Sequence, residues 1–332
     1  MTSPSHPTKA ALIAGFAAIY IIWGSTYLGI RIAVETMPPF LMAGVRFLVA
    51  GAIVAAFIAL TRGFHATAKQ WRDNAIVGGF LCLGGNGLVS WAEEKVPSGI
   101  ATLIISAGPV FIVLMDWGVH AFFKDGKRGT RPGVLTFVGL ALGFVGLAIL
   151  VGPSVMATGA GSLDPWRVLG LLAATLLWGV GMLYMRYASN PAEPFTASGI
   201  QMLTGSGWLL VTSLAMGEFG RFDPSAVTGR SVLAWSYLVV FGSLIGFSTF
   251  TWLMKHSTPA KVSTYAYVNP VVAVFLGWFV LHEPVSPRIF VAAGVIIAGV
   301  AIITVTKNKK TLALPPRQAV AAAVVEPASE RT

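Results

Sequence analysis

The sequence predicts an all-α membrane protein with ten transmembrane helices arranged as two inverted five-helix repeats. Three observations carry this. Only 36 of the 332 residues are Asp, Glu, Lys or Arg, or 11%, where a soluble domain carries roughly 25%. Ten uncharged apolar runs follow one another along the chain, most of them long enough to cross a hydrocarbon core of about 30 Å. Finally, residue pairs in the first half recur about 155 positions later in the second half.

The spans fall in order at 10–30, 40–60, 74–92, 98–123, 133–151, 168–185, 195–216, 232–254, 262–281 and 289–306. The first lies between Lys9 and Arg31 and holds Trp23-Gly24. It is long for a signal-peptide core and lacks a clean small-residue cleavage site, so it is expected to stay as a span. The second contains Arg46, which with Asp116 of the fourth is one of two acids or bases well inside a span. The third has Gly84-Gly85-Asn86-Gly87 at its middle, and the fourth carries Pro109, Asp116 and His120. The fifth holds Gly139. Trp178-Gly179 of the sixth span repeats Trp23-Gly24 at an offset of 155, Pro194-Phe195 and Gly199 repeat Pro39-Phe40 and Gly44, and Gly294 of the tenth repeats Gly139. The eighth span centres on Gly242-Ser243-Leu244-Ile245-Gly246, and the ninth on Tyr265, Tyr267 and Asn269-Pro270. Because five is odd, the second half must enter the membrane from the opposite side, the inverted symmetry on which many alternating-access transporters are built.

Positive charge sets the expected orientation. With the amino terminus inside, Lys9, Arg62, Lys69, Arg72, Lys124, Lys127, Arg128, Arg131, Arg186, Lys255, Lys261, Lys307, Lys309, Lys310, Arg317 and Arg331 stay on the cytoplasmic side. Only Arg31, Lys95, Arg167, Arg221, Arg230 and Arg288 cross, a ratio of 16 to 6 that puts both termini in the cytoplasm. The expected units are an amino-terminal segment 1–9, a first repeat 10–151, a linker 152–167, a second repeat 168–306 and a disordered tail 307–332. The net charge of +10 is explained by these topology signals, so nucleic acid is not an expected partner. The lone Cys82 excludes a disulfide framework or a cysteine-based metal site.

Several residues together carry a family resemblance: two five-span halves, the early Trp23-Gly24, Arg46-Phe47 in the second span, the prolines of the fourth and ninth, and Leu281-His282-Glu283-Pro284 before the last. With these, residues 10 to 306 resemble the EamA group of the drug/metabolite transporter superfamily, and within it the YddG/YedA type of bacterial inner-membrane exporter. The resemblance implies a central cavity between the halves, lined by spans 1, 3, 4, 6, 8 and 9. It also implies export of amino acids or related metabolites from the bacterial cell, with the linker 152–167 in the periplasm. The glutamate often found before the last span of each half is Glu283 here, whereas the first half has Phe122-Phe123-Lys124-Asp125.

The residues themselves also suggest where a polar solute would bind. Inverted-repeat transporters bind near the midplane, where helix interruptions let freed backbone groups face a cavity. That criterion selects Asn86, Asn269 and Ser243, with Pro109 and Pro270 as gating or helix-breaking positions. Deep aromatics form a second group, Trp23, Trp178, Tyr265 and Tyr267, because an indole N–H or phenol buried in a bilayer asks for a cavity or a polar neighbour. Glycine packing and interhelical ties would explain the same residues structurally. Arg46 has two readings: a counter-charge for a substrate carboxylate, or a side chain that snorkels outward to pair with Glu93 or Glu94. The second is adopted. Asp116 and His120 share a helix face and could relay protons or pair with loop lysines, and the structural role is adopted.

The expected function is therefore an alternating-access exporter of small metabolites, with aromatic and other hydrophobic neutral amino acids as substrates, working as a facilitator without cofactor or metal. No obligate protein partner is evident, and the lipid bilayer and a small-molecule substrate are the expected partners. A proton-coupled drug/metabolite antiporter using Asp116 is the alternative within the superfamily. A polytopic lipid-modifying enzyme is the alternative of another class, but no nucleophile–base pair or His/Asp/Glu cluster supports it.

Overall fold

The computed structural model describes residues 7–96, 98–122, 129, 131–158, 164–191, 193–272 and 287–305, and all regular structure among them is helical. Lys9–Ala33, Pro39–Thr61, Ala68–Glu93, Pro165–Tyr187 and Gly229–His256 are each long and apolar enough to cross a membrane. They form spans 1, 2, 3, 6 and 8. Val134–Thr158, Pro194–Ala215 and Pro287–Val305 form spans 5, 7 and 10. The ninth is described from Pro259–Val262 through residue 272, and the Glu283 motif lies outside the described residues.

The helix starts are encoded locally. Thr8 accepts from Ala11 N, Asp164 from Trp166 N and Glu193 from Thr196 N, satisfying amide groups that have no partner inside the helix. Thr67 and Gln70 close a reciprocal capping box at the start of span 3. Pro39, Pro165, Pro194 and Pro259 occupy first-turn positions, where a missing N–H costs nothing.

Side-chain contacts show the opposed directions of the two halves. Arg31, near the end of span 1, and Arg167, at the start of span 6, both reach Glu94 at the end of span 3. Spans 2 and 7 also run antiparallel. Arg62 at the end of span 2 pairs with Glu193 at the start of span 7 at 3.2 Å. At the other end, the Glu218 carboxylate after span 7 accepts from Phe40 N and Leu41 N at the start of span 2. We call the end holding Lys9, Arg62 and Glu193 the amino-terminal face and the other the far face.

Spans 3 and 8, equivalent under the repeat, each contain a stretch of wide π-helical turns, Gly79–Gly87 and Leu238–Phe247. Such turns are rare and concentrate at functional sites. Each packs across the repeat boundary: the span 3 stretch lies against spans 6 and 7, and the span 8 stretch against spans 1 and 2.

Spans 4 and 9 are interrupted, the first at the proline selected from the sequence and the second not. The fourth span divides at Ser106-Ala107 into Ser98–Ile105 and Gly108–Phe122. Pro109 sits in the first turn of the second piece, and its ring could not follow an unbroken helix through Ile105. In span 9 the turn falls at Ser263-Thr264, and Pro270 lies inside the helix that runs from 265 to 272. Pro270 is therefore not the helix break it was expected to be. Its missing N–H leaves the Ala266 carbonyl free, and the Ser106 hydroxyl lies 2.7 Å from that oxygen and 2.6 Å from Thr102 O, so its one proton is shared between the two acceptors. The side chain thus offers the freed carbonyl a donor in part.

Candidate functional site

A cavity of about 80 Å³ lies between the halves, walled by spans 1, 2, 3, 4, 6, 8 and 9. Trp23 and Trp178, near the middle of spans 1 and 6, form its floor. Their rings meet edge-on at 5.6 Å and 82°. Tyr265 closes on Trp23 at 4.8 Å and 86°. Phe250 completes the cluster, 5.2 Å from Trp23 and 5.5 Å from Trp178. Edge-to-face packing of this kind adds about 0.5–1.5 kcal/mol per pair beyond area burial.

The two indoles are seated by the same device, used twice. A Cβ on Gly85 would stand 2.2 Å from Trp178 Cε3, and one on Gly246 would stand 2.5 Å from Trp23 Nε1. Each tryptophan thus lies on a glycine in the wide-turn stretch of the opposite half, where no other residue leaves room. The Trp23 indole N–H donates to Gly242 O at 3.2 Å.

From that floor the cavity extends toward the far face, past Thr26, Tyr27 and Ile30 on one side of span 1. On that side it is lined by Ile30, Val89 and Ala174, which belong to one buried apolar cluster. Beyond them spans 1, 3 and 6 are tied: Arg31 donates to the carbonyls of Glu93 and Glu94. Arg167 donates to Trp91 O and to Glu94 Oε2, with its guanidinium 4.0 Å above the Trp91 ring. Toward the amino-terminal face the floor is backed by the Tyr20–Thr264 hydrogen bond of 2.6 Å.

Of the residues selected from the sequence, Trp23, Asn86, Pro109, Trp178, Tyr265 and Asn269 all line this one cavity. Asn86 Nδ2 makes a long bond to Leu81 O at 3.4 Å. The Asn269 amide neighbours the Tyr27 hydroxyl and the Trp178 indole N–H neighbours the Tyr265 hydroxyl, but neither pair has good hydrogen-bond geometry. Tyr267 is placed elsewhere. It is fully buried against span 5, its ring on Gly143 and its hydroxyl 3.5 Å from Leu140 O. Two residues on from Tyr265 along a helix means a turn of about 200°, which carries the side chain to the opposite face. Ser243 is buried and binds Arg46 instead of facing the cavity. Asp116 and His120 lie away from the cavity toward the amino-terminal face, where the Asp116 carboxylate is 3.7 Å from Arg186.

Arg46 overturns the outward-snorkelling expectation. Its side chain turns inward, lines the cavity and is 2% exposed. Nε donates to Ser243 Oγ at 2.8 Å, and the guanidinium lies over Phe47 at 4.8 Å. Glu94 instead meets Arg167. The Glu93 carboxylate is fully buried and has no hydrogen-bond partner among the described residues. Sequence reasoning also missed Thr26, Tyr27 and Phe250. The first two were findable, since positions three and four beyond Trp23 share its helix face. Phe250 lies past the wide turns, where regular helical spacing fails.

Comparison with known proteins places this architecture. Residues 9–152 and 165–305 match the EamA-like transporter family. The uncharacterized inner membrane transporter YedA of Escherichia coli (strain K12) is 35% identical over 96% of this chain and 97% of its own. The uncharacterized transporter YvbV of Bacillus subtilis (strain 168) is 25% identical over 91% and 93%. One crystal structure superposes with a TM-score of 0.68 at 23% identity, covering 90% of this chain and 98% of that one, a likeness of fold. With matches over both halves and a relative of such identity along nearly its whole length, the chain is a membrane transporter and belongs to the EamA-like family of the drug/metabolite transporter superfamily.

Proposed function

We propose that the protein is an alternating-access exporter of aromatic and other hydrophobic neutral amino acids across the bacterial inner membrane, with both termini cytoplasmic. The observation that carries this is the aromatic floor of Trp23, Trp178 and Tyr265, backed by Phe250, beneath a wall bearing the amides of Asn86 and Asn269. An apolar ring has a stacking surface there, and polar groups have partners above it. Transport works as facilitation, because no Asp, Glu or His lines the cavity among the described residues. Proton exchange is the second reading. It rests on the buried Glu93 carboxylate, which neighbours Tyr27 of the cavity wall. Counterflow of labelled amino acids by the purified protein in liposomes tests the substrate class, and an imposed proton gradient separates the two modes. Failure to move any aromatic amino acid would refute the first. Reporter fusions after Lys124 and Thr306 test the orientation, and an outside signal at either would reverse it.

A further inference from the structure

The Arg46 guanidinium is a charge buried in a membrane-embedded cavity without a counter-ion. It forms no ion pair among the described residues, its Nη1 has no hydrogen-bond partner there, and its one side-chain bond is to neutral Ser243. A group of this kind is costly to bury. Guanidinium stays charged under all ordinary conditions, so losing a proton offers no relief. Snorkelling offers none either, since the side chain points inward. The fold instead builds around it. Gly242 leaves room for Nη2, which would stand 3.0 Å from a Cβ at that position, and the next residue, Ser243, holds Nε.

Three further polar atoms of the same cavity, Trp178 Nε1, Asn269 Nδ2 and Asn269 Oδ1, make no hydrogen bond of good geometry and have only the neighbouring Tyr265 and Tyr27 hydroxyls beside them. With Arg46 Nη1 the set comprises three donors, one of them cationic, and one acceptor. Buried polar atoms are normally satisfied, so Arg46 Nη1 and the weakly held Asn269 and Trp178 groups are free to bond a solute in this space. The solute that fits them carries a negatively charged group with several acceptor positions and at least one donor.

We propose that Arg46, positioned by Ser243, is the carboxylate-binding residue of this transporter, and that the cavity selects substrates with a free carboxylate beside a hydrogen-bond donor, as in a zwitterionic α-amino acid. The proposal rests on the cavity being the substrate site and deepens the reading above. It also excludes cationic amphiphiles, the usual cargo of drug pumps, because a fixed positive charge in a cavity lined by no acid among the described residues repels them.

The test uses the full chain in liposomes, with counterflow of labelled L-phenylalanine and competition by three compounds that share its ring: L-phenylalaninamide, phenethylamine and 3-phenylpropionate. L-Leucine and L-alanine serve as carboxylates without the ring. The wild type is expected to prefer phenylalanine to its amide and to the amine by at least about tenfold, with 3-phenylpropionate competing better than the amine. Arg46→Gln should lower phenylalanine affinity about tenfold to a hundredfold, the loss of a hydrogen bond to a charged partner, and abolish the preference for acid over amide. Arg46→Lys should keep part of that preference. If Arg46→Gln fails to fold, the wild-type series still decides. Equal competition by acid and amide, or a preference that survives Arg46→Gln, overturns the proposal while leaving aromatic export standing. Carriage of leucine or alanine but not phenylalanine, still dependent on Arg46, supports it while removing the aromatic assignment. Carriage of none of the carboxylates overturns both.

Discussion

Gly85→Ala is the sharpest probe of the cavity floor. The new methyl would stand 2.2 Å from Trp178 Cε3, 3.0 Å from Cζ3 and 3.3 Å from Cδ2. Ordinary carbon contact begins near 3.4 Å, so the indole has to retreat by more than about 1.2 Å. Its path is blocked by Trp23 at 5.6 Å and Phe250 at 5.5 Å. Overpacking a tight site costs about 1–3 kcal/mol. Alanine returns about 1 kcal/mol of helix propensity, so the net cost to stability should be about 0–2 kcal/mol. The damage should appear locally, as a loss of substrate affinity of about fivefold to 150-fold if the full cost falls on binding, with a changed tryptophan emission. Gly246→Ala, 2.5 Å from Trp23 Nε1, should act likewise through the repeat-related indole. Gly118→Ala, where nothing lies within 4 Å, is the matched control and should transport normally. Counterflow affinity in Gly85→Ala within twofold of wild type would refute the seating of the indoles on glycine.

Glu218→Gln removes a carboxylate that accepts from Phe40 N and Leu41 N at the start of span 2 and from Ser213 Oγ at the end of span 7. It should cost about 1.5–3 kcal/mol, read as a lower unfolding temperature in detergent, and an unchanged midpoint would contradict that anchoring role. Tyr267→Phe loses only a 3.5 Å bond to Leu140 O on the span 5 side. Its transport kinetics should match wild type, and a substantial loss of affinity would return Tyr267 to the cavity. Asp116→Asn should retain flux down a substrate gradient with no proton gradient imposed. Strict proton dependence abolished by that substitution would make Asp116 a coupling residue.

The all-helical membrane class and the doubled plan were legible in composition and spacing alone. Hydrocarbon demands about 20 apolar residues per crossing, and every backbone group must be satisfied within its own segment, so span lengths are legible in composition alone. The offset linking Trp23 with Trp178 exposed the repeat, and mid-depth polar or aromatic residues pointed to much of the cavity wall. Tertiary structure decided which way each side chain faces. In a membrane, apolar residues line both the lipid and the cavity, so periodicity does not separate the two faces as it does on a soluble helix. Tyr265 and Tyr267 must face opposite ways along a helix, but only the packing of Tyr267 on Gly143 shows which of the two meets the cavity. The rotation of Arg46 into the cavity depends on Ser243, 197 positions distant, in a wide-turn stretch that regular helical spacing does not anticipate. The Ala266 carbonyl that Pro270 frees inside its helix meets the hydroxyl of Ser106, 164 positions before the proline. Such contacts join segments far apart in the chain, and local sequence carries no record of them until the halves interlock.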